Sequence, residues 1–249
     1  MKLALSPDIR RLAKEIVAPL QSPEIWKAMG LSYAKNPYAI IRMEGVTGSG
    51  KTALANYMAR QLKQPPMHLD FARIASDQLG GTEQAINLFF DTANETKTKT
   101  LIMEECDALV WSRNMVDKDT TYHQGFVAEL LRRIDEFKNR DMPSMLIMTT
   151  NHPERIDAAI ESRITDVLRI PIPTGDHAHK VWMTKLPECL LKTIQDGQLE
   201  ALARLHLTPR AMENLVLQIC RRAAVDKRLP VFADFGISPH VNQYAGMSG

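Results

Sequence analysis

The sequence predicts an α/β fold: a five-stranded parallel sheet flanked by helices, followed by a small C-terminal α-helical lid. Three observations predict it. From residue 39 onward, short apolar runs alternate with segments of helical periodicity, the pattern of parallel strands joined by crossover helices. The first of these runs enters a glycine-rich loop, Gly45-Val46-Thr47-Gly48-Ser49-Gly50-Lys51-Thr52, and a helical segment leaves it. After Pro171 and Pro173 the strand-like runs stop and only helical segments follow.

Taken in order, Ser6-Pro7-Asp8 combines a cap, a first-turn proline and an acid at the positive end of a helix, and Ile9, Leu12, Ile16 and Val17 then fall on one face. Ser22-Pro23-Glu24 repeats the signal, with Gly30 as its stop. Strands are expected near 39–44, 67–71, 100–104, 145–150 and 166–170, and helices over 51–63, 82–94 and 123–137. Helical segments at 176–190, 196–205 and 209–226 follow, the last opened by Thr208-Pro209-Arg210. The expected division is 1–38 as helices leading into the core, 39–173 as the α/β core, 174–235 as the lid and 236–249 as a mobile tail.

Bulk properties narrow the class. The 249 residues are 45% hydrophobic and 24% charged, as in an ordinary globular protein. No apolar run approaches the ~20 residues of a membrane span, and the N-terminal apolar stretch is too short for a signal peptide. Cys106, Cys189 and Cys220 are scattered without metal-ligand spacing, so reduced thiols and a cytoplasmic location are expected. A net charge of +2 argues neither for nor against a nucleic-acid partner.

The loop at 45–52 fits G-x-x-x-x-G-K-[ST], with a strand before it and a helix after it. Such a loop turns its N–H groups and a helix N-terminus onto a phosphate chain. Gly45, Thr47, Gly48, Ser49, Gly50, Lys51, Thr52 and Ala53 are therefore the candidate nucleotide-binding residues, with Lys51 reaching the β and γ phosphates and Thr52 holding Mg²⁺. Leu101-Ile102-Met103-Glu104-Glu105 is a buried strand ending in two carboxylates. Alternation along a strand lets one face the metal and its neighbour face water, so Glu104 is assigned to Mg²⁺ and Glu105 to the attacking water. Asn151 follows another buried strand; it can orient water near the γ-phosphate or merely form a turn.

These motifs together resemble the AAA+ ATPases, and most closely the AAA family in the narrow sense, over roughly residues 16–226. Residues 19–31 resemble the stretch against adenine, 45–52 Walker A, and 101–105 Walker B continuing into Cys106-Asp107-Ala108-Leu109. Thr149 to Asp157 resembles the sensor-1 segment, with Asn151 the sensor. Glu161-Ser162-Arg163-Ile164 resembles the segment carrying the arginine finger, and Thr208-Pro209-Arg210 stands where sensor 2 begins.

The resemblance implies ATP hydrolysis with Mg²⁺ in a homo-oligomer, a hexameric ring or spiral. Glu105, Lys51, Asn151, Arg163 and Arg210 are then the catalytic set, with Arg163 acting on a neighbouring subunit's nucleotide; Arg155 and Arg169 suit that role less well. Outside the family context, Arg163 and Arg210 read as surface arginines.

Two departures stand out. The family's Walker B reads Asp-Glu, whereas this chain reads Glu104-Glu105, and the extra methylene pushes the first carboxylate toward a metal that tolerates distorted geometry poorly. The pore-loop position, Ser76-Asp77-Gln78-Leu79-Gly80-Gly81, has Gln78 where an aromatic is usual, and also reads as a plain turn. Three functions remain open: remodelling of a protein partner or adaptor complex, nucleotide-gated assembly with slow hydrolysis, and action on nucleic acid, which nothing in the composition indicates.

Arg132-Arg133 and Arg221-Arg222 are expected on solvated faces or in subunit contacts, and Leu215, Ile219 and Ala223 in the lid core.

Overall fold

The computed structural model describes residues 3–31, 35–70, 81–109 and 120–237, with the side chains of 108–109 and 120–124 left aside. Of the position expected to be a pore loop, Ser76 to Gly80 lie outside the described residues, as does all of the tail beyond Ile237. The chain divides into two compact units. One holds residues 7–46 and 51–170; the other gathers the helices after Pro171 with Thr47–Gly50 and the residues before Pro7.

In the first unit, α1 (Pro7–Gln21) and α2 (Pro23–Ala28) precede β1 (Tyr38–Glu44) and α3 (Lys51–Gln61). Then come β2 (Met67–Asp70), α4 (Gly81–Glu95), β3 (Thr100–Glu104), α5 (Thr120–Lys138), β4 (Ser144–Thr150), the single turn α6 (Ala158–Glu161) and β5 (Asp166–Arg169). The five strands pair in the order β2-β3-β4-β1-β5, all parallel. Glu44 pairs with Thr150 and Asp70 with Glu104, so the carboxyl ends of the strands finish along one edge.

Both faces of this sheet are covered, which is why its strands are continuous apolar runs. Ile40, Leu101, Met103, Leu146 and Met148 pack with Ile86, Phe89 and Phe90 of α4 and with Leu130, Ile134 and Phe137 of α5. The alternate residues Ile41, Met43, Ile102 and Ile147 are fully buried as well. α3 lies against β3 and β4, and α1 against α3 and β5. α2 ends as expected: Gly30 adopts φ +70, the left-handed conformation that closes a helix.

One expectation is corrected here. Arg133 does not lie on a solvated face; its side chain is only 11% exposed. Its guanidinium donates to Asn87 Oδ1 at 2.6 Å and to Asp91 Oδ1 at 2.6 Å, tying α5 to α4. Arg132, by contrast, stays on the surface and pairs with Glu129 and Glu136.

The second unit contains α7 (Gly175–Lys185), α8 (Glu188–Leu191), α9 (Asp196–Ala203) and α10 (Pro209–Val225). The expected helix over 176–190 is in fact two, broken at Pro187. Proline disfavours helical geometry in the residue before it, and Leu186 is extended at ψ 138. Trp182 is fully buried among Leu186, Leu190, Leu202, Met212 and Val216, and its Nε1 donates to Leu202 O at 3.0 Å. On α10, Met212, Val216, Ile219 and Ala223 are buried while Leu215 is only partly so. Among the described residues no helix is long and apolar enough to cross a membrane.

Candidate functional site

The glycine-rich loop spans the gap between the end of β1 at Glu44 and the start of α3 at Lys51. Gly48 at φ +78 and Gly50 at φ +108 take backbone shapes that side chains with a Cβ resist. Lys51 is the first residue of α3, and its Nζ donates to three acceptors. These are Gly45 O at 2.7 Å, Val46 O at 3.2 Å and Asn151 Oδ1 at 2.6 Å. The ammonium is thus drawn to the strand ends by Asn151, the residue after β4, and by the loop itself.

Thr52 and Glu104 also converge. The Thr52 hydroxyl donates to Glu104 Oε2 at 2.9 Å, so a helix-start hydroxyl and a strand-end carboxylate present oxygens to the same point. The other carboxylate oxygen, Oε1, accepts from His68 Nδ1 of β2 at 2.8 Å. His68 carries no local signal in the sequence; the strand register alone brings it to Glu104.

The simple alternation expected of the two glutamates does not hold. β3 ends at Glu104, and Glu105 lies outside it in the left-handed region at φ +56. A non-glycine residue in that region is strained, and such strain collects where a turn must aim one side chain. The turn is stitched to β4: Glu105 N donates to Thr149 Oγ1 at 3.3 Å, and the buried Asp107 accepts from Asn151 N at 3.2 Å. Glu105 itself is exposed. Between them, burial and the neighbouring Asp107 charge push the Cys106 thiol far above its ordinary range, so it is no nucleophile.

Arg163 follows α6 and turns back onto its own chain. Nε lies 3.2 Å and Nη2 2.9 Å from the Asp135 carboxylate of α5, while Nη1 donates to Ala159 O at 2.9 Å. The hydrogen bond from Arg163, helped by Lys138, holds Asp135 below the usual carboxylate range. The structure therefore gathers Lys51, Asn151, Thr52 and Glu104, whereas Arg163 has its partners elsewhere. A second charged group escaped the sequence reading. Buried Arg42 of β1 pairs with Glu44 at 2.8 Å and with Glu161 of α6, and Arg169 donates to Glu44 Oε1 at 2.6 Å.

In the other unit, Arg210 N donates to Gly48 O at 3.3 Å. A Cβ on Gly48 would stand 2.8 Å from Arg210 Cβ and 3.1 Å from Thr208 Oγ1, so close approach is a second reason for glycine there. Thr208 caps α10 by accepting from Ala211 N at 3.2 Å. Ser49 Oγ is buried and has no hydrogen-bond partner among the described residues, a cost that an acceptor such as a phosphate oxygen would relieve. That orphaned hydroxyl, and the pairing of Thr52 with Glu104, fit a nucleotide phosphate chain with a hard cation, which prefers oxygen ligands.

A family model described as the ATPase family associated with various cellular activities (AAA) matches residues 41–172. In sequence the chain is similar to a putative cell division cycle ATPase of Plasmodium falciparum, 24% identical over 202 residues, covering 80% of this chain and 16% of that protein. It is also similar to a proteasome-activating nucleotidase of Methanoculleus marisnigri, 25% identical over 206 residues, covering 81% of this chain and 48% of that protein. The chain thus spans less than half the length of these curated relatives. In structure it resembles the FIGL-1 AAA domain, with a TM-score of 0.75 at 18% identity, covering 97% of this chain and 84% of that one.

Proposed function

From the premise that this chain belongs to the AAA family of ATPases, we propose that it hydrolyses ATP within an oligomer, a hexameric ring or spiral, and uses the cycle to remodel a protein partner or complex. The observation that carries this reading is the three-way hold on Lys51 Nζ by Gly45 O, Val46 O and Asn151 Oδ1, which sets a cation where a triphosphate would end.

In this mechanism the loop from Gly45 to Gly50 and the N-terminus of α3, including Ala53, receive the phosphates through their N–H groups. Thr52 and Glu104 would hold Mg²⁺, which when bound would supply positive charge against the phosphate chain. Asn151 orients water and Glu105 takes its proton as the water oxygen forms a bond to the γ-phosphorus. The bond from that phosphorus to the bridging oxygen breaks, and ADP leaves with the electron pair. Lys51 and Arg163 of a neighbouring chain stabilise the charge that develops. Arg210 would sense the γ-phosphate from the helical unit.

A protein partner is supported by the relatives: one is, by its name, an activator of the proteasome. A second reading, nucleotide-gated assembly with slow turnover, is favoured by Glu104, whose longer side chain already uses both oxygens within the chain. The test is phosphate release from ATP by the purified chain and by Lys51→Ala. Magnesium-dependent release that the substitution abolishes is the expected result. Release undiminished in Lys51→Ala would overturn the assignment.

A further inference from the structure

We propose that His68 is a positioning residue for the first Walker B carboxylate, resting on the reading of Glu104 as a ligand of Mg²⁺. An aspartate at this position has one fewer torsion between backbone and carboxylate, so its oxygens are placed largely by the strand. Glu104 has an additional rotatable bond and must be aimed by its neighbours. The structure shows two donors from different elements doing so, each on its own oxygen: Thr52 Oγ1 of α3 at 2.9 Å from Oε2, and His68 Nδ1 of β2 at 2.8 Å from Oε1.

An ionised carboxylate only accepts, so the Nδ1 of His68 carries the hydrogen. The register explains why the two meet. His68 pairs with Ile102, and Glu104 lies two residues further along β3 on the same face, within diagonal reach. Both side chains of the pair remain reachable from solvent, at 38% for His68 and 25% for Glu104, as a site that must admit a hydrated ion requires.

The experiment measures binding of a fluorescent ATP analogue to the full chain, with Mg²⁺ and with the metal chelated. In the unaltered protein Mg²⁺ should tighten binding. His68→Ala should lose roughly tenfold of that metal-dependent gain, the lower end for loss of a partner that orients a metal ligand, while metal-free affinity is unchanged. His68→Asn, whose side-chain N–H sits near the place of Nδ1, should keep most of the gain. In a Glu104→Asp background the shorter carboxylate no longer reaches His68, and His68→Ala should have no further effect.

A metal-dependent gain that is intact in His68→Ala overturns the proposal. So does a loss of metal-free binding in that variant, or equal losses in His68→Asn and His68→Ala, because each marks a merely structural role. If the unaltered chain binds no nucleotide at all, the nucleotide reading of the site falls first and this proposal with it.

Discussion

The guanidinium of Arg163 is held by Asp135 of the same chain, Nε and Nη2 both on one carboxylate at 3.2 and 2.9 Å. α5 therefore sets the attitude of the residue proposed to reach a neighbour's nucleotide. The pair is part-exposed, 26% for Arg163 and 46% for Asp135, so solvent screening limits its worth to under about 1 kcal/mol.

A structural and a catalytic role for Arg163 can thus be separated. Arg163→Ala should lower stability in a denaturant titration by less than about 1 kcal/mol and leave nucleotide binding in place. Hydrolysis should fall by about 10³-fold, the lower end for an arginine finger. Normal hydrolysis in this variant would remove the assignment.

Asn151, the residue that follows β4, meets Lys51 Nζ at 2.6 Å. Asn151→Ala leaves the backbone acceptors Gly45 O and Val46 O in place. Nucleotide affinity should change only a few-fold, while single-turnover hydrolysis slows by about 10²-fold as water loses its orienting group. Equal losses in binding and turnover would instead place Asn151 in ground-state binding alone.

Replacing Glu104 by the shorter acid tests the expected departure from an Asp-Glu pair at the end of β3. If the extra methylene crowds the metal, Glu104→Asp should hydrolyse ATP as fast as the original chain or faster. A clear fall in rate would show that the longer side chain is fitted to its site rather than a handicap.

Asp234 gives a prediction in pH. Arg228 Nη2 stands 2.6 Å from its Oδ1, and Val231 N donates to its Oδ2 at 2.8 Å. Arg228 first and the backbone N–H second bring its pKa down to about 2. A depressed carboxylate stabilises the fold above its unfolded value of about 3.9, and that contribution disappears as pH falls through the folded value. Carbon-13 NMR of the carboxyl should show titration near 2, returning toward the ordinary range in Arg228→Ala. An ordinary midpoint in the unaltered chain would contradict the pairing.

The strands and helices were legible because each carried a local signal: apolar runs for a doubly covered sheet, Ser-Pro-acid starts, and glycine at the stop of α2. The break at Pro187 was also written in the chain, since proline constrains the residue before it, but helical periodicity on either side masked it. The meeting of Thr52 with Glu104 followed from placing both at the carboxyl edge of a parallel sheet. The left-handed turn at Glu105 did not, because nothing local distinguishes it from one more residue of strand. His68 was invisible for a different reason. Its contact spans β2 to β3 and exists only through register; the ties from Arg133 to α4 and from Arg42 to Glu161 likewise join elements far apart in sequence. Pairings of this kind depend on which elements become neighbours, and no periodicity within one segment encodes that.

In the proposed function a neighbouring chain completes each catalytic site. The most direct test is the hydrolysis rate per chain against protein concentration, with particle mass followed by analytical ultracentrifugation in ATP and Mg²⁺. The expected rate per chain climbs with concentration in step with assembly and then levels off. A constant, full rate from particles that sediment as single chains at every concentration would contradict it.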